Sequence, residues 1–317
     1  MKPKQTNEQI KGIAFGLGAY ALWGILPLYW KQLQHVSSTE ILAHRVVWAL
    51  VFLFILLTVT RKLPSFLSEI QYIAGQPRKM RGILGAAIML NLNWFTYIWA
   101  VNHDHIIQTS LGYYINPLVS VLLGIVFLKE RLSLWQMVAF FLAAVGVFSL
   151  TVQYGRFPWI AFTLAITFAI YGLFKKMINI GSITGLTLET MLSFAIALPY
   201  LGYIYNTDNS SFQFVPSVTT LLLIGAGAVT AIPLILFAAG TKRLPLFAIG
   251  FLQYVSPTMG LLLGAAIYHE PFTLGNLLSF MVIWTGLIIF SLARTSFFIN
   301  MEDKITKTWV KIVQPPL

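Results

Sequence analysis

Ser110-Leu-Gly-Tyr-Tyr-Ile-Asn-Pro-Leu-Val-Ser-Val-Leu-Leu-Gly124, followed by Lys129-Glu130, reads in register with Gly250-Phe-Leu-Gln-Tyr-Val-Ser-Pro-Thr-Met-Gly-Leu-Leu-Leu-Gly264, followed by His269-Glu270. At one constant offset Tyr114 meets Tyr254, Pro117 meets Pro257, Gly124 meets Gly264 and Glu130 meets Glu270. Carried on, the same offset pairs Gly146 with Gly286. Earlier in the chain, Ala21-Leu-Trp-Gly24 resembles Ala169-Ile-Tyr-Gly172, and Glu40 resembles Glu189. Both copies sit in apolar surroundings, so the duplicated unit is a membrane unit, and the fold turns on how many spans each copy holds.

An apolar run of about 20 residues crosses the hydrocarbon core as a helix. The chain offers ten such runs, at 11–30, 39–60, 82–101, 106–128, 134–153, 157–175, 185–205, 217–239, 245–268 and 273–294. With the amino terminus inside, the inner loops hold Arg61, Lys62, Arg78, Lys79, Arg81, Lys129, Arg131, Lys175, Lys176, Lys242 and Arg243, whereas the outer loops hold only Lys31 and Arg156. That asymmetry is what the positive-inside rule requires, and one span more or fewer would scramble it. The reading predicts an all-α polytopic protein of the cytoplasmic membrane with both termini cytoplasmic. The polar start, Met1 to Lys11, leads into a run too long for a signal-peptide core, which predicts that the first segment stays in the membrane.

Composition agrees. Of the 317 residues 57% are hydrophobic and 10% charged, against ~25% charged in a soluble domain, so lipid is the solvent for most of this surface. The net charge of +11 is scattered in short clusters between apolar runs, which points to topology and away from a nucleic-acid partner. With no cysteine, disulfides, thiolate metal sites and cysteine nucleophiles are excluded. No cofactor motif is visible.

Five spans per copy is an odd number, so the second copy enters the membrane inverted. The expected halves are 1–153 and 154–294, with 295–317 as a cytoplasmic tail. Inverted repeats recur in secondary transporters, whose sites lie near the midplane at interrupted helices.

Several motifs now align with a known group. Glu40-Ile-Leu-Ala-His-Arg45, Asn93-Trp-Phe-Thr-Tyr-Ile-Trp-Ala-Val-Asn102, Ser110 to Pro117, Tyr171-Gly172-Leu173, Glu189, Thr230-Ala-Ile-Pro233 and Gln253-Tyr254 resemble the RarD group of EamA-type permeases, in the drug/metabolite transporter superfamily. The resemblance covers about residue 10 to about residue 294 and leaves out the tail. It implies a ten-helix inner-membrane carrier of five-plus-five inverted repeats, with a central cavity lined chiefly by helices one, three, four, six, eight and nine. Members are customarily named for a chloramphenicol phenotype, which does not fix the transported solute.

Candidate chemistry falls into a few places. Pro117 and Pro257 each remove a backbone donor and free a carbonyl one turn earlier, and in hydrocarbon such groups must face protein or a wet cavity. Beside these helix interruptions lie Tyr113, Tyr114 and Asn116 in one half and Gln253, Tyr254 and Ser256 in the other. They are candidates for substrate binding; structural kinks are the competing reading. Asn93 and Tyr97, one turn apart, suit an amphipathic or aromatic solute, although Asn93 can equally bond a neighbouring helix. Trp23 and Tyr171, related by the repeat, face either the cavity or a close helix contact.

Glu40 and His44 share a helix face, and Arg45 points about 100° away from His44. Arg45 either snorkels to the outer interface or packs so as to stabilise the Glu40 end of the helix, or it serves as a polar outer gate or as an anchor for a substrate carboxylate. Glu189, in the inverted half, should lie toward the cytoplasm, too far for pairing with Arg45, and is a candidate carrier of a coupling proton. His103-Asp104-His105 is too short a cluster to predict a metal site. Glu130 and Glu270 are expected to cap or pair across loops, and Lys304, Lys307, Trp309 and Lys311 either rest on the anionic inner leaflet or form a disordered tail.

Three function classes compare on these grounds. A carrier explains the repeat, the prolines and the polar-aromatic clusters together. An enzyme lacks HExxH, an Asp-rich metal motif or a GxSxG elbow. A receptor or channel-like protein remains open on helix count alone, but no filter or charged ring is visible. The expected partners are a small-molecule substrate, membrane lipid and a coupling proton; nothing in the sequence fixes oligomeric state, direction of flux or the solute itself.

Overall fold

The computed structural model describes residues 3–102, 105–155, 157–178, 180–213, 217–267, 274–293 and 295–313. Apolar runs become helices because lipid offers no partner for a free N–H or C=O, and among the described residues there is no strand. The helices are α1 (Pro3–Lys31), α2 (Ser38–Val59), α3 (Leu63–Ala74), α4 (Pro77–Asn102), α5 (Ile106–Leu128), α6 (Leu134–Tyr154), α7 (Trp159–Met177), α8 (Ser182–Asn206), α9 (Val218–Arg243), α10 (Leu246–Leu252), α11 (Val255–Ile267), α12 (Leu274–Leu292) and α13 (Ser296–Val313). The sequence-predicted His103, Asp104, Arg156, His269 and Glu270 lie outside the described residues.

Among the described residues seven helices are long and apolar enough to cross a membrane, within α1, α2, α5, α6, α7, α8 and α9. The other three expected stretches are occupied by α4, by the pair α10 and α11, and by α12. Helix α4 opens on Arg78, Lys79 and Arg81 and carries Asn91 and Asn93, which dilute its apolar character. Two elements were not expected. Helix α3 occupies what read as an inner loop and buries Phe66 and Ile73 on one side. Helix α13 replaces the open tail; Leu277–Leu292 and Ser296–Glu302 meet at 92°. Its start is fastened to α6, where Trp135 Nε1 donates to the Phe298 carbonyl at 3.1 Å and the Leu134 amide donates to Glu302 at 3.0 Å.

Lipid tails are as apolar as leucine, so helices in a bilayer associate through close packing of small residues and a few polar ties. Here α1 packs on α9 and α4 on α7; α5 packs on α7 and α1 on α11; α2 lies against α9 and α4 against α8. A side chain at Gly227 of α9 would collide with the Trp48 backbone of α2, so only glycine admits that crossing. The α6–α12 contact is reciprocal. Gly146 of α6 faces Ser279 and Ile283 of α12, and Gly286 of α12 faces Ala139 and Ala143 of α6.

Candidate functional site

Ser37 caps α2, accepting a hydrogen bond from the Glu40 amide at 3.2 Å, and so sets the phase of everything that follows on that helix. Glu40 and His44 point to the α8–α9 connection. The Glu40 carboxylate accepts from Ser210 Oγ at 2.9 Å, from the Ser211 amide at 2.7 Å and from the Phe212 amide at 3.3 Å. The His44 ring stacks on Phe212 at 4.9 Å and accepts from Trp48 Nε1 at 3.2 Å. These two side chains clasp a loop. His44 also lines a cavity of about 530 Å³ together with Trp48, Tyr205 and Thr220.

Arg45, a hundred degrees round the helix, turns into the bundle and does not snorkel outward. Its guanidinium carbon lies 4.9 Å from the Trp30 ring of α1 and 5.1 Å from the Trp94 ring of α4. Its Nε donates to Thr230 Oγ1 of α9 at 3.0 Å. Tyr97 of α4 and Tyr113 of α5 stand within electrostatic range, their rings 6.3 Å apart. Tyr113 is ringed by protein, yet 43% of its surface is open. Arg45, Trp30, Trp94 and Tyr97 are partly open as well.

Taking an ion out of water costs several kcal/mol even after relaxation. Two cation–π contacts at this partly open site return about 0.5–2 kcal/mol each, and a charged hydrogen bond about 1.5–3 kcal/mol. Arg45 is therefore tolerated where it stands, but among the described residues no carboxylate pairs with it. Sequence reading missed Trp30 as a neighbour. The signal was present: Trp30 follows Trp23 by seven residues and shares its helix face.

Glu189 is held very differently. It pairs with Lys175 at 2.8 Å and accepts from the Tyr171 hydroxyl at 3.2 Å, all three side chains being buried. Lys175, read from sequence as an inner-loop cation, is thus an interior residue. Lys175, in the last turn of α7, reaches Glu189 of α8, fourteen residues further along the chain. Tyr171 is fully buried and stacks on Phe237 at 5.8 Å, so it faces a helix contact. Trp23 stands at the edge of the same aromatic group, 5.7 Å from Phe168 and 5.8 Å from Phe237.

The two prolines differ. Pro117 sits inside a continuous α5, so the expected interruption does not occur there. Asn116 holds the helix to α7 through the Ala165 carbonyl at 2.6 Å, and Gly250 lets α10 lie directly on the Pro117 backbone. In the other copy the helix does break, at Gln253 and Tyr254, where the carbonyl freed by Pro257 falls. Tyr114 reaches across to the break and donates to the Pro257 carbonyl at 3.1 Å; its ring lies 6.4 Å from that of Tyr254. Gln253 is buried and Ser256 partly open. Asn93 ties α4 to α7 through the Leu164 carbonyl and Thr167 Oγ1, each at 2.9 Å, which is the helix-bonding alternative.

The fold and this cluster of one cation among aromatic rings define a polytopic helical membrane protein. The model of the EamA-like transporter family matches residues 10–152. The chain is 45% identical over 293 residues to the uncharacterized transporter YojE of Bacillus subtilis, covering 92% of this chain and 96% of that one. It is 39% identical to protein RarD of Escherichia coli (92% and 96% covered) and 40% identical to protein RarD of Streptomyces exfoliatus (90% and 90% covered). The chain belongs to the RarD/EamA-type permeases, membrane transporters of the drug/metabolite superfamily. A solved crystal structure, described only as that of a protein, shares the fold with a TM-score of 0.68 at 19% identity, over 91% of this chain and 99% of its own.

Proposed function

We propose that the chain is a secondary-active carrier that exports small amphipathic or aromatic solutes across the cytoplasmic membrane by alternating access. In this reading ten spans form two inverted repeats, 1–153 and 154–294, both termini are cytoplasmic, and 295–317 is a cytoplasmic tail. The reciprocal α6–α12 contact carries it. The partners of Gly146 and of Gly286 correspond to one another at the repeat offset, as a pseudo-two-fold axis requires. The helix pairs named above support the same axis, since exchanging the halves turns α1–α9 into α7–α4 and α5–α7 into α11–α1. Two such halves can rock about a central site and expose it to either side in turn. The solute would sit among Trp23, Trp30, Arg45, Trp94, Tyr97 and Tyr113, with Glu40, Asn93, Asn116, Glu189 and the Tyr114–Tyr254 contact as scaffold.

Purified protein in proteoliposomes tests this with a panel of amino acids, aromatic metabolites and chloramphenicol, with and without a pH step. Saturable exchange of one class is the expected result. Folded protein that exchanges nothing across the panel would return the chain to the receptor class.

A further inference from the structure

A cation inside a bundle must meet a counter-charge or an open, wet space. Among the described residues the buried carboxylates, Glu40 and Glu189, are engaged elsewhere, Glu40 with the 210–212 loop and Glu189 with Lys175. Among the described residues no carboxylate lies within salt-bridge distance of Arg45, and neither terminal nitrogen of its guanidinium hydrogen-bonds to a described residue. Only Nε is used, on Thr230. The remaining fork of two parallel donors matches the two oxygens of a carboxylate. Trp30 and Trp94 cover the guanidinium, while Tyr97 and Tyr113 bring ring faces and hydroxyls to the same space. One cation balances one negative charge, and no second described Lys or Arg joins the cluster, which disfavours a doubly charged phosphate ester.

We infer that Arg45 receives the anionic group of the solute, and that the solute class is a small aromatic monocarboxylate whose ring lies against Trp30, Trp94, Tyr97 and Tyr113. This deepens the carrier reading and rests on it. Both oxygens of the carboxylate accept from the open guanidinium fork, Thr230 keeps the fork oriented, and the aromatic walls take the body.

The probes are indole-3-acetate and phenylacetate, each against its neutral amide, at pH 7 where both acids are ionised. Ligand-induced thermal stabilisation of the full-length detergent-purified protein is the readout. Both acids should raise the unfolding temperature in a saturable manner, with the amides at least tenfold weaker. Arg45→Gln should lose the acid's effect by tenfold or more, and Arg45→Lys, which keeps the charge without the fork, should fall between. Arg45→Lys also serves if Arg45→Gln does not fold. Equal stabilisation by acid and amide, an Arg45→Gln or Arg45→Lys protein that binds the acids as the parent does, or no effect of any probe would each overturn the inference. The two readings fail separately. Proteoliposomes that exchange phenylacetamide as well as phenylacetate keep the carrier and remove the carboxylate, whereas Arg45-dependent binding without exchange keeps the carboxylate site and removes the carrier.

Discussion

Lys175 and Arg45 are two interior cations with opposite circumstances, and the contrast is testable by stability alone. Lys175 and Glu189 neutralise each other at 2.8 Å with the Tyr171 hydroxyl on the second oxygen. Removing either partner strands a buried charge, which costs about 3–5 kcal/mol, whereas replacing both by groups of similar size is often close to neutral. Lys175→Met and Glu189→Gln should therefore each lower the unfolding temperature sharply, and the double variant should recover most of the loss. A loss in the double variant equal to the sum of the two single losses would mean that the pair does not couple. Arg45 has no such partner to strand among the described residues. Arg45→Met is expected to be at least as stable as the parent, since a charge held for function is commonly a cost to the fold. A loss of more than about 2 kcal/mol in that variant, on the scale of a single desolvated cation–π contact, would make Arg45 a structural residue first. The candidate site was half legible for this reason. Arg45, Tyr97 and Tyr113 stand out in sequence because polar groups in apolar runs are conspicuous, but that Trp30, Trp94 and Thr230 surround one guanidinium depends on three helices meeting, and no spacing along the chain encodes that meeting.

At the scale of elements the most informative joint is the one between α5 and α10. Helix α5 ends with Lys129 in the left-handed region at φ 53°, and the turn swings Glu130 onto the first turn of α10. There the carboxylate accepts from the Leu246 amide at 2.7 Å and the Phe247 amide at 3.0 Å, satisfying two of the donors that a helix start leaves free. Such a cap contributes about 1 kcal/mol. Glu130→Ala should raise hydrogen exchange at the Leu246 and Phe247 amides roughly fivefold to tenfold, as an opening eased by about that energy implies, while amides at the centre of α5 stay as protected as before. Unchanged exchange at α10 would show that neighbouring helices, and not Glu130, hold its start. Most elements were legible because a run of about 20 apolar residues in lipid has no alternative to helix. Helices α3 and α13 were not, since each is amphipathic and its apolar positions are diluted by polar ones on the other face. The prolines were visible, but which of them breaks its helix was not. Pro117 is held on both sides, by Asn116 on α7 and by α10 at Gly250, whereas one turn before Pro257 the helix breaks and the Gln253 carbonyl takes the Ser256 amide instead, at 3.0 Å.

For the molecule as a whole, the proposed rocking of two halves makes a demand on the interface where α10 lies across α5. If the halves alternate, the ends of α5 and α10 that carry Glu130 and Leu246 must part whenever the site opens to the cytoplasm. A Cβ built at Gly250 lies 2.9 Å from the Ser120 Cβ, somewhat closer than the ~3.8 Å of cysteine pairs in disulfides, so a bond between cysteines at these positions needs the helices to separate by roughly 1 Å. The natural chain has no cysteine, so Ser120→Cys with Gly250→Cys creates a single possible bond. Oxidation should bring exchange in proteoliposomes to background, reduction should restore it, and each single variant should remain active under both conditions. Binding measured by thermal stabilisation should survive in the oxidised protein, because Arg45, Trp30, Trp94 and Thr230 lie on α2, α1, α4 and α9, and only Tyr113 of the cluster is on the cross-linked α5. Undiminished exchange by fully cross-linked protein would mean that this interface never opens, and the pathway would then have to run through a fixed structure in which the repeat reflects ancestry alone.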